Sequence, residues 1–403
     1  MTVSAGKANM NKTRGVLIIV ENLPVPFDRR VWQEANTLRD AGYTVSIISP
    51  TGKGYEKRHE VINDIHIYRH PLPLEADGAL GYLLEYSVAL FWEFVLAWRI
   101  LFTRGFDVIH ACNPPDLIFI VAITFKLLGK KFVFDHHDIN PELYEAKFGR
   151  KDFFYKLMLF FERLTFKAAD VSIATNHSYK EIAIRRGGMN PNNVFVVRSG
   201  PSLDRLKIFT PIQSLKKGRP YLVGYVGVMG KQEGIDLLLQ SIHHVVHKVG
   251  RKDIHFGLVG GGTEIENMKR YSTELDIENY VTFTGRVPDL ELLEMLNTAD
   301  ICVNPDISNE MNDKSTMNKI MEYMALGKPI VQFDLTEGRF SAEKASLYAN
   351  KNDAIDLANK IITLLDNPDI RKSMGEYGRQ RVEQTLAWQY EVPKLLAAYN
   401  SLG

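Results

Sequence analysis

Residues 312–331 read NDKSTMNKIMEYMALGKPIV. The order is a polar loop, a short helix, a glycine stop at Gly327 and an apolar run that reads as a buried strand. The loop is dense in groups that can hold an anion: Lys314, Ser315, Thr316, Asn318 and Lys319. A helix starting there turns its free backbone N–H groups and the positive end of its dipole toward whatever lies in front. Glu322 follows one turn on. Phosphate on the amides and ribose hydroxyls on the Glu would together suit a nucleotide sugar. An ordinary helix start with a solvated polar cap accounts for the same residues equally well.

The helix-then-strand succession recurs along the chain. In the first half the strand candidates are VLIIV (16–20), TVSIIS (44–49), IHIYR (65–69), DVIHA (107–111), KFVFD (131–135), DVSIAT (170–175) and NVFVVR (193–198). Several are continuous Val/Ile/Phe runs, as expected of parallel strands covered on both faces. Helix-length segments lie between them, at 28–41, 116–129, 152–168 and 177–187. The second half repeats the alternation with YLVGYVG (221–227), IHFGLVG (254–260), YVTFTG (280–285), DICVN (300–304) and KPIVQF (328–333). The polar run SLKKGRP (214–220) reads as a linker. At 403 residues the chain is long for one α/β domain, so two doubly wound α/β domains are expected. In such sheets ligands bind at the carboxyl ends of the strands, which makes the cleft between domains the default site.

A net charge of +1 gives no pull toward nucleic acid. The two cysteines, Cys112 and Cys302, are far apart in apolar runs and read as buried thiols in a reducing cytoplasm. Residues 1–14 read as a flexible tail, and the apolar run 16–20 is too short for a signal-peptide core. Residues 82–102, YLLEYSVALFWEFVLAWRILF, are long enough to span a bilayer. Glu85, Glu93 and Arg99 lie among them, and each charge near the bilayer centre costs roughly 2.5–3.5 kcal/mol. A core helix is favoured, with peripheral contact at the inner face of a membrane as the alternative.

Taken in order, PFDRRVWQEANTLRDAGYTVSIIS, DHHDINPELY, VVRSGP, GYVGVMGKQEGIDLLL, GLVGGGTEIENM, VTFTGRVPD and the opening segment give a resemblance. The chain resembles glycosyltransferase family 4 (glycosyl transferases group 1), retaining enzymes of GT-B fold. The resemblance implies two Rossmann-like domains facing an interdomain cleft. The acceptor-side domain would be 15–210 and the nucleotide-sugar domain 211–385, with a last helix in 386–403 crossing back onto the first. It implies transfer of a sugar from a nucleotide-diphosphate donor, UDP- or GDP-linked. The acceptor would be a glycan or lipid-linked glycan of a bacterial surface polysaccharide. No cofactor and no metal are expected. The cluster Asp135, His136, His137, Asp138 imitates a metal site, but neighbours on a strand end point in different directions.

The resemblance also assigns residues. Glu322 matches the second Glu of a Glu-x7-Glu motif and would hold the ribose. The first falls on Lys314, so its part would pass to Asp313, to backbone, or be absent. Val228 and Glu233 stand where family members carry diphosphate-binding cations, which leaves Lys231 as the cation of the glycine turn, with Lys314 and Lys319 as possible replacements. Gly227, Gly230 and Gly261 would let backbone approach the donor, Val287 would meet the base, and Arg286 would neighbour a phosphate. His137, with Asp138, takes the place near the reacting sugar. Arg29, His110, Asn113 and Asp138 are acceptor-side candidates; Arg29, at the start of its helix with Asp28 and Arg30, would contact sugar or diphosphate, or only form the helix cap and surface pairs. Two rivals remain: a sugar epimerase of the same fold, and a non-catalytic nucleotide-sugar binder, which the three departures favour.

Overall fold

The computed structural model describes residues 14–71 and 78–403, with backbone alone for 78–85. The expected tail therefore lies, but for Arg14, outside the described residues. Two sheets organise the rest. The first holds eight strands: β1 (Gly15–Ile19), β2 (Thr44–Pro50), β3 (His59–Ile62), β4 (Ile65–His70), β5 (Val108–Cys112), β6 (Lys131–His136), β7 (Val171–Ala174) and β8 (Val194–Val196). Their spatial order is β3-β4-β2-β1-β5-β6-β7-β8, parallel throughout except for the β3–β4 pair. The second sheet is all parallel and holds β9 (Tyr221–Val226), β10 (Ile254–Val259), β11 (Val281–Gly285), β12 (Ile301–Asn304), β13 (Ile330–Phe333) and β14 (Ser346–Ala349). Its order is β11-β10-β9-β12-β13-β14.

The side-chain period of two feeds a separate core on each face. Along β1, Leu17 and Ile19 enter one cluster with Ile109, Phe125 and Phe134, while Val16 and Ile18 enter another with Val31, Leu38 and Leu395. β9 divides in the same way, Val223 and Tyr225 to one side and Leu222 to the other. Helices thus cover both faces, which is why the strands read as unbroken apolar runs. The two strands absent from the sequence reading, β3 (HEVI) and β14 (SLYA), are four-residue sheet-edge strands, β3 partly or fully exposed throughout and β14 partly exposed at Leu347 and Tyr348. The final helix, Val392–Asn400, packs Leu395, Ala398 and Tyr399 into the first domain's core.

The direction of strand order reverses between β1 and β5 in the first sheet and between β9 and β12 in the second. Loops leaving neighbouring strands there diverge to opposite faces and open a crevice. The carboxyl ends of the two sheets face each other, as contacts between their loops show: Asn176 Nδ2 donates to Lys314 O at 2.8 Å, and the Arg286 guanidinium lies 4.3 Å from the Phe27 ring centroid.

Candidate active site

On the second domain, the loop after β9 turns at Gly227 and is braced from below by the loop after β10. Gly227 N donates to Val259 O and Met229 N to Gly261 O. A Cβ on Gly260, whose φ is +133°, would sit 1.9 Å from Gly227 O, so only glycine permits this approach. Beneath the turn lies Lys319, in the first turn of the helix Asn318–Ala325. Its ammonium is 2.7 Å from Glu233 Oε2 and 2.8 Å from Asp306 Oδ1, over the ring of Tyr225. Burial opposes its charge, but Asp306 and Glu233 outweigh this and hold its pKa well above the ordinary lysine value. Burial pushes Asp306 up to about 7. Burial works the same way on Glu233, where Lys319 prevails and holds the carboxyl below its usual range. The cluster is closed and close to neutral. Lys319 is therefore a buried structural charge, and the expectation that it offers a free cation to phosphate is corrected.

On the first domain, Arg30 is the organising residue. Its guanidinium meets Asp135 through Nη2–Oδ1 at 2.9 Å and Nε–Oδ2 at 3.3 Å, donates to Val197 O at 2.9 Å and pairs with Glu34 at 3.1 Å. His110 Nε2 lies 3.3 Å and His137 Nε2 2.5 Å from Asp135 Oδ2. Burial disfavours the Asp135 charge, yet Arg30 and His137 hold its carboxyl well below the usual range. Burial pushes Glu34 well above it. His137 Nε2 is engaged by Asp135 and by Arg30 Nε at 3.0 Å, and its Nδ1 makes no hydrogen bond among the described residues. Asn113 fixes the backbone here: its Oδ1 accepts from His137 N at 2.7 Å and from Asp138 N, and its Nδ2 donates to Asp138 O.

Two acceptor-side assignments change accordingly. His110 is fully buried, with Nδ1 2.8 Å from the Tyr399 hydroxyl of the final helix, so it is core and lines no pocket. Asn113 is buried as well and acts as a bracket for the His137 loop. His136 points the other way, among Phe134, Phe166 and Tyr179, and burial lowers its pKa to about 3. Two triads, His110/Cys112/Asp135 and Glu34/Asp135/His137, bring ligand atoms within 4.8 Å of one another. Arg30 already neutralises the carboxylate common to both, so a cation would have to compete with a buried guanidinium.

Where the domains meet, the opening segment divides in two. A short helix, Glu310–Lys314, precedes the helix Asn318–Ala325. Lys314 pairs with Glu310 at 2.6 Å and lies 3.9 Å from Glu142 of the first domain. Ser315 Oγ is 3.0 Å from the Tyr179 hydroxyl, and Thr316 Oγ1 accepts from Asn176 Nδ2 at 3.0 Å and from Arg198 at 3.3 Å. These polar groups, expected to face an anion, form the seam between domains. Asp313 accepts from Thr336 and pairs with Lys351, so it does not take the place of the missing Glu. Glu322 faces the cleft. Oε1 is 3.2 Å from Arg29 Nη1 and also receives Arg205, and both guanidiniums reach Asp289 as well. Arg205 escaped the sequence reading: it lies in the irregular chain after VVRSGP, and no local pattern marks it. Gly230 and Gly261 stay on the glycine loops, Lys231 is exposed, and Val287 packs at the edge of the second domain's core.

Two family models divide this chain between them. Residues 28–205 match glycosyltransferase family 4, and residues 220–367 match glycosyl transferases group 1. The chain belongs to glycosyltransferase family 4. As a family 4 glycosyltransferase it is 24% identical over 400 residues to an MMP alpha-(1->4)-mannosyltransferase of Mycolicibacterium hassiacum, covering 90% of this chain and 91% of that one. Its fold is that of GT-B structures. It superposes on the sucrose-phosphate synthase of Thermosynechococcus elongatus with a TM-score of 0.80 at 19% identity, covering 96% of this chain and 99% of that one. On Anabaena HepE in complex with UDP-glucose the TM-score is 0.71 at 15% identity, covering 96% and 99%.

Proposed function

We propose that this glycosyltransferase transfers a sugar, with retention, from a nucleotide-diphosphate donor to a glycan or lipid-linked glycan acceptor in the assembly of a surface polysaccharide. The observation that carries the reading is the placement of Glu322. It stands at the carboxyl edge of the second sheet, in reach of Arg29 across the cleft, where a carboxylate can accept both ribose hydroxyls. The glycine loops after β9 and β10 supply backbone N–H groups for the diphosphate. His137, held by Asp135 and Asn113, presents Nδ1 to a sugar hydroxyl. A UDP- or GDP-linked donor suits this arrangement, and HepE, of the same fold, binds UDP-glucose. Leaving-group charge is met by dipoles and side chains rather than by a metal.

The test is a panel of UDP-, GDP-, ADP- and dTDP-sugars, with release of free nucleoside diphosphate as the readout. Slow release from one donor, abolished in Glu322→Ala, supports the transferase. Tight binding without turnover, even with a cell-extract acceptor fraction, overturns it in favour of a non-catalytic binder.

A second element bears on the acceptor. The helix Gly78–Thr103 buries Ala89, Glu93, Leu96, Ala97 and Ile100 and exposes Phe91, Phe94, Val95 and Phe102. By length and composition residues 86–103 could cross a membrane, but one face belongs to the first domain's core. The adjoining helix Phe119–Lys126, which meets it at Phe94 and Phe125, exposes Ile120 and Ile123, and Leu127 at its end is exposed too. This surface fits a cytoplasmic enzyme resting on the inner face of a membrane that holds its lipid-linked acceptor.

A further inference from the structure

We propose that Arg29 and Arg205 bind the donor's diphosphate, standing in for the cations absent at Val228 and Glu233; this rests on the donor reading of the cleft. Charge sets the requirement. A nucleoside diphosphate brings at least two negative charges, and a site without metal must meet them with cations and N–H dipoles. Lys319 is enclosed by Glu233 and Asp306, and Lys314 is held by Glu310 at the seam. Arg286 lies over the ring of Phe27. Arg29 and Arg205 differ from these three. They come from opposite sides of the cleft, Arg29 from the first turn of the helix Arg29–Asp40 and Arg205 from the chain whose next residue, Leu206, is buried in the second domain. Both converge on the same oxygen of Glu322 and share Asp289. Their side chains are 42% and 21% exposed. Each guanidinium has five N–H donors and spends only some of them on the two carboxylates.

The four groups comprise two cations and two anions, so the arrangement is neutral overall and keeps two guanidiniums next to the carboxylate that would hold the ribose. Asp289, half-exposed, competes with an incoming phosphate for both of them. A purely structural role and a phosphate-binding role therefore predict different signs. If the ion pairs only tie the domains together, Asp289→Asn damages the protein in the same way as Arg29→Gln. If the arginines bind phosphate, Asp289→Asn frees them and tightens diphosphate binding while the arginine variants weaken it.

The experiment is calorimetric titration of the full chain with UDP, GDP, ADP and dTDP and with the matching nucleosides. Arg29→Gln and Arg205→Gln are each expected to weaken the bound diphosphate roughly ten- to hundred-fold, the loss of a charge-assisted contact, while leaving nucleoside affinity alone. Lys replacements should recover part of the loss, and Asp289→Asn should tighten the diphosphate several-fold. Lys231, which is exposed and makes no ion pair among the described residues, serves as the comparison cation. A large loss in Lys231→Gln with no change in the arginine variants overturns the proposal, as does weakening by Asp289→Asn equal to that by Arg29→Gln. Nucleoside affinity unchanged in Glu322→Ala would overturn the donor reading itself, a distinct result.

Discussion

Glu93 carries a carboxyl group that the fold buries with neither oxygen hydrogen-bonded among the described residues. Burial, with Glu21 adding a like charge, pushes its pKa up to about 8. The sign follows from the two states. An unfolded Glu ionises near 4.3, and the folded one holds its proton until about pH 8. Stability therefore falls as pH rises from about 4 to about 8, by up to roughly 1.4 kcal/mol per pH unit. Glu93→Gln removes that dependence. Denaturant midpoints at about pH 5 and about pH 8 should show the variant gaining on its parent by a few kcal/mol; a gap constant with pH would refute this. At this scale the sequence is a poor guide. Arg30 and Arg29 are adjacent and chemically alike, yet one is buried on Asp135 and the other faces the cleft. His110 lies within β5 and His137 just past β6, and only His137 keeps an exposed edge, 13% of its side chain.

Secondary elements were far more legible. The helices at 29–40, 153–168 and 177–185 fall within a residue or two of the expected segments, because apolar period and capping residues are local. Asp152, for example, caps its helix by accepting from Phe154 N. What periodicity cannot give is the second face of a long apolar helix. In Gly78–Thr103 nearly every position is apolar, so only packing separates the core face from the exposed one. If the exposed face rests on lipid, Phe91→Ser with Phe102→Ser should cut flotation with anionic vesicles about ten-fold or more, since apolar area removed from water is worth ~25 cal/mol per Å². A parent protein that stays wholly soluble, or a variant that floats as well as the parent, would sink the membrane reading.

The whole molecule is tied together at Arg198. Its guanidinium stacks on Phe340 at 4.1 Å and reaches Glu337 and Thr316 at 3.3 Å, while its backbone N–H donates to Glu391 of the C-terminal segment. One residue thus joins the first domain, the second domain and the returning chain. Arg198→Met would leave Glu337 buried without its guanidinium and should cost ~3 kcal/mol in urea unfolding. Adding Glu337→Gln should return much of the loss, because it removes the unpaired charge. Equal destabilisation in the single and double variants would show that packing on Phe340, and not the ion pair, matters.

Alternating apolar runs and helix-length segments determined two doubly wound parallel sheets, because strand and helix patterning is written in residues a few positions apart. The same local order pointed to Glu322 and the glycine turns, and the family resemblance pointed to His137, as expectations for the site. Which charges remain free was decided by the tertiary structure alone. Arg29 and Glu322 are 293 positions apart, and Lys319 is held by Glu233, 86 positions away. Ionisation and ion pairing depend on burial and on how the domains dock, and neither is recorded in the spacing of residues along a chain.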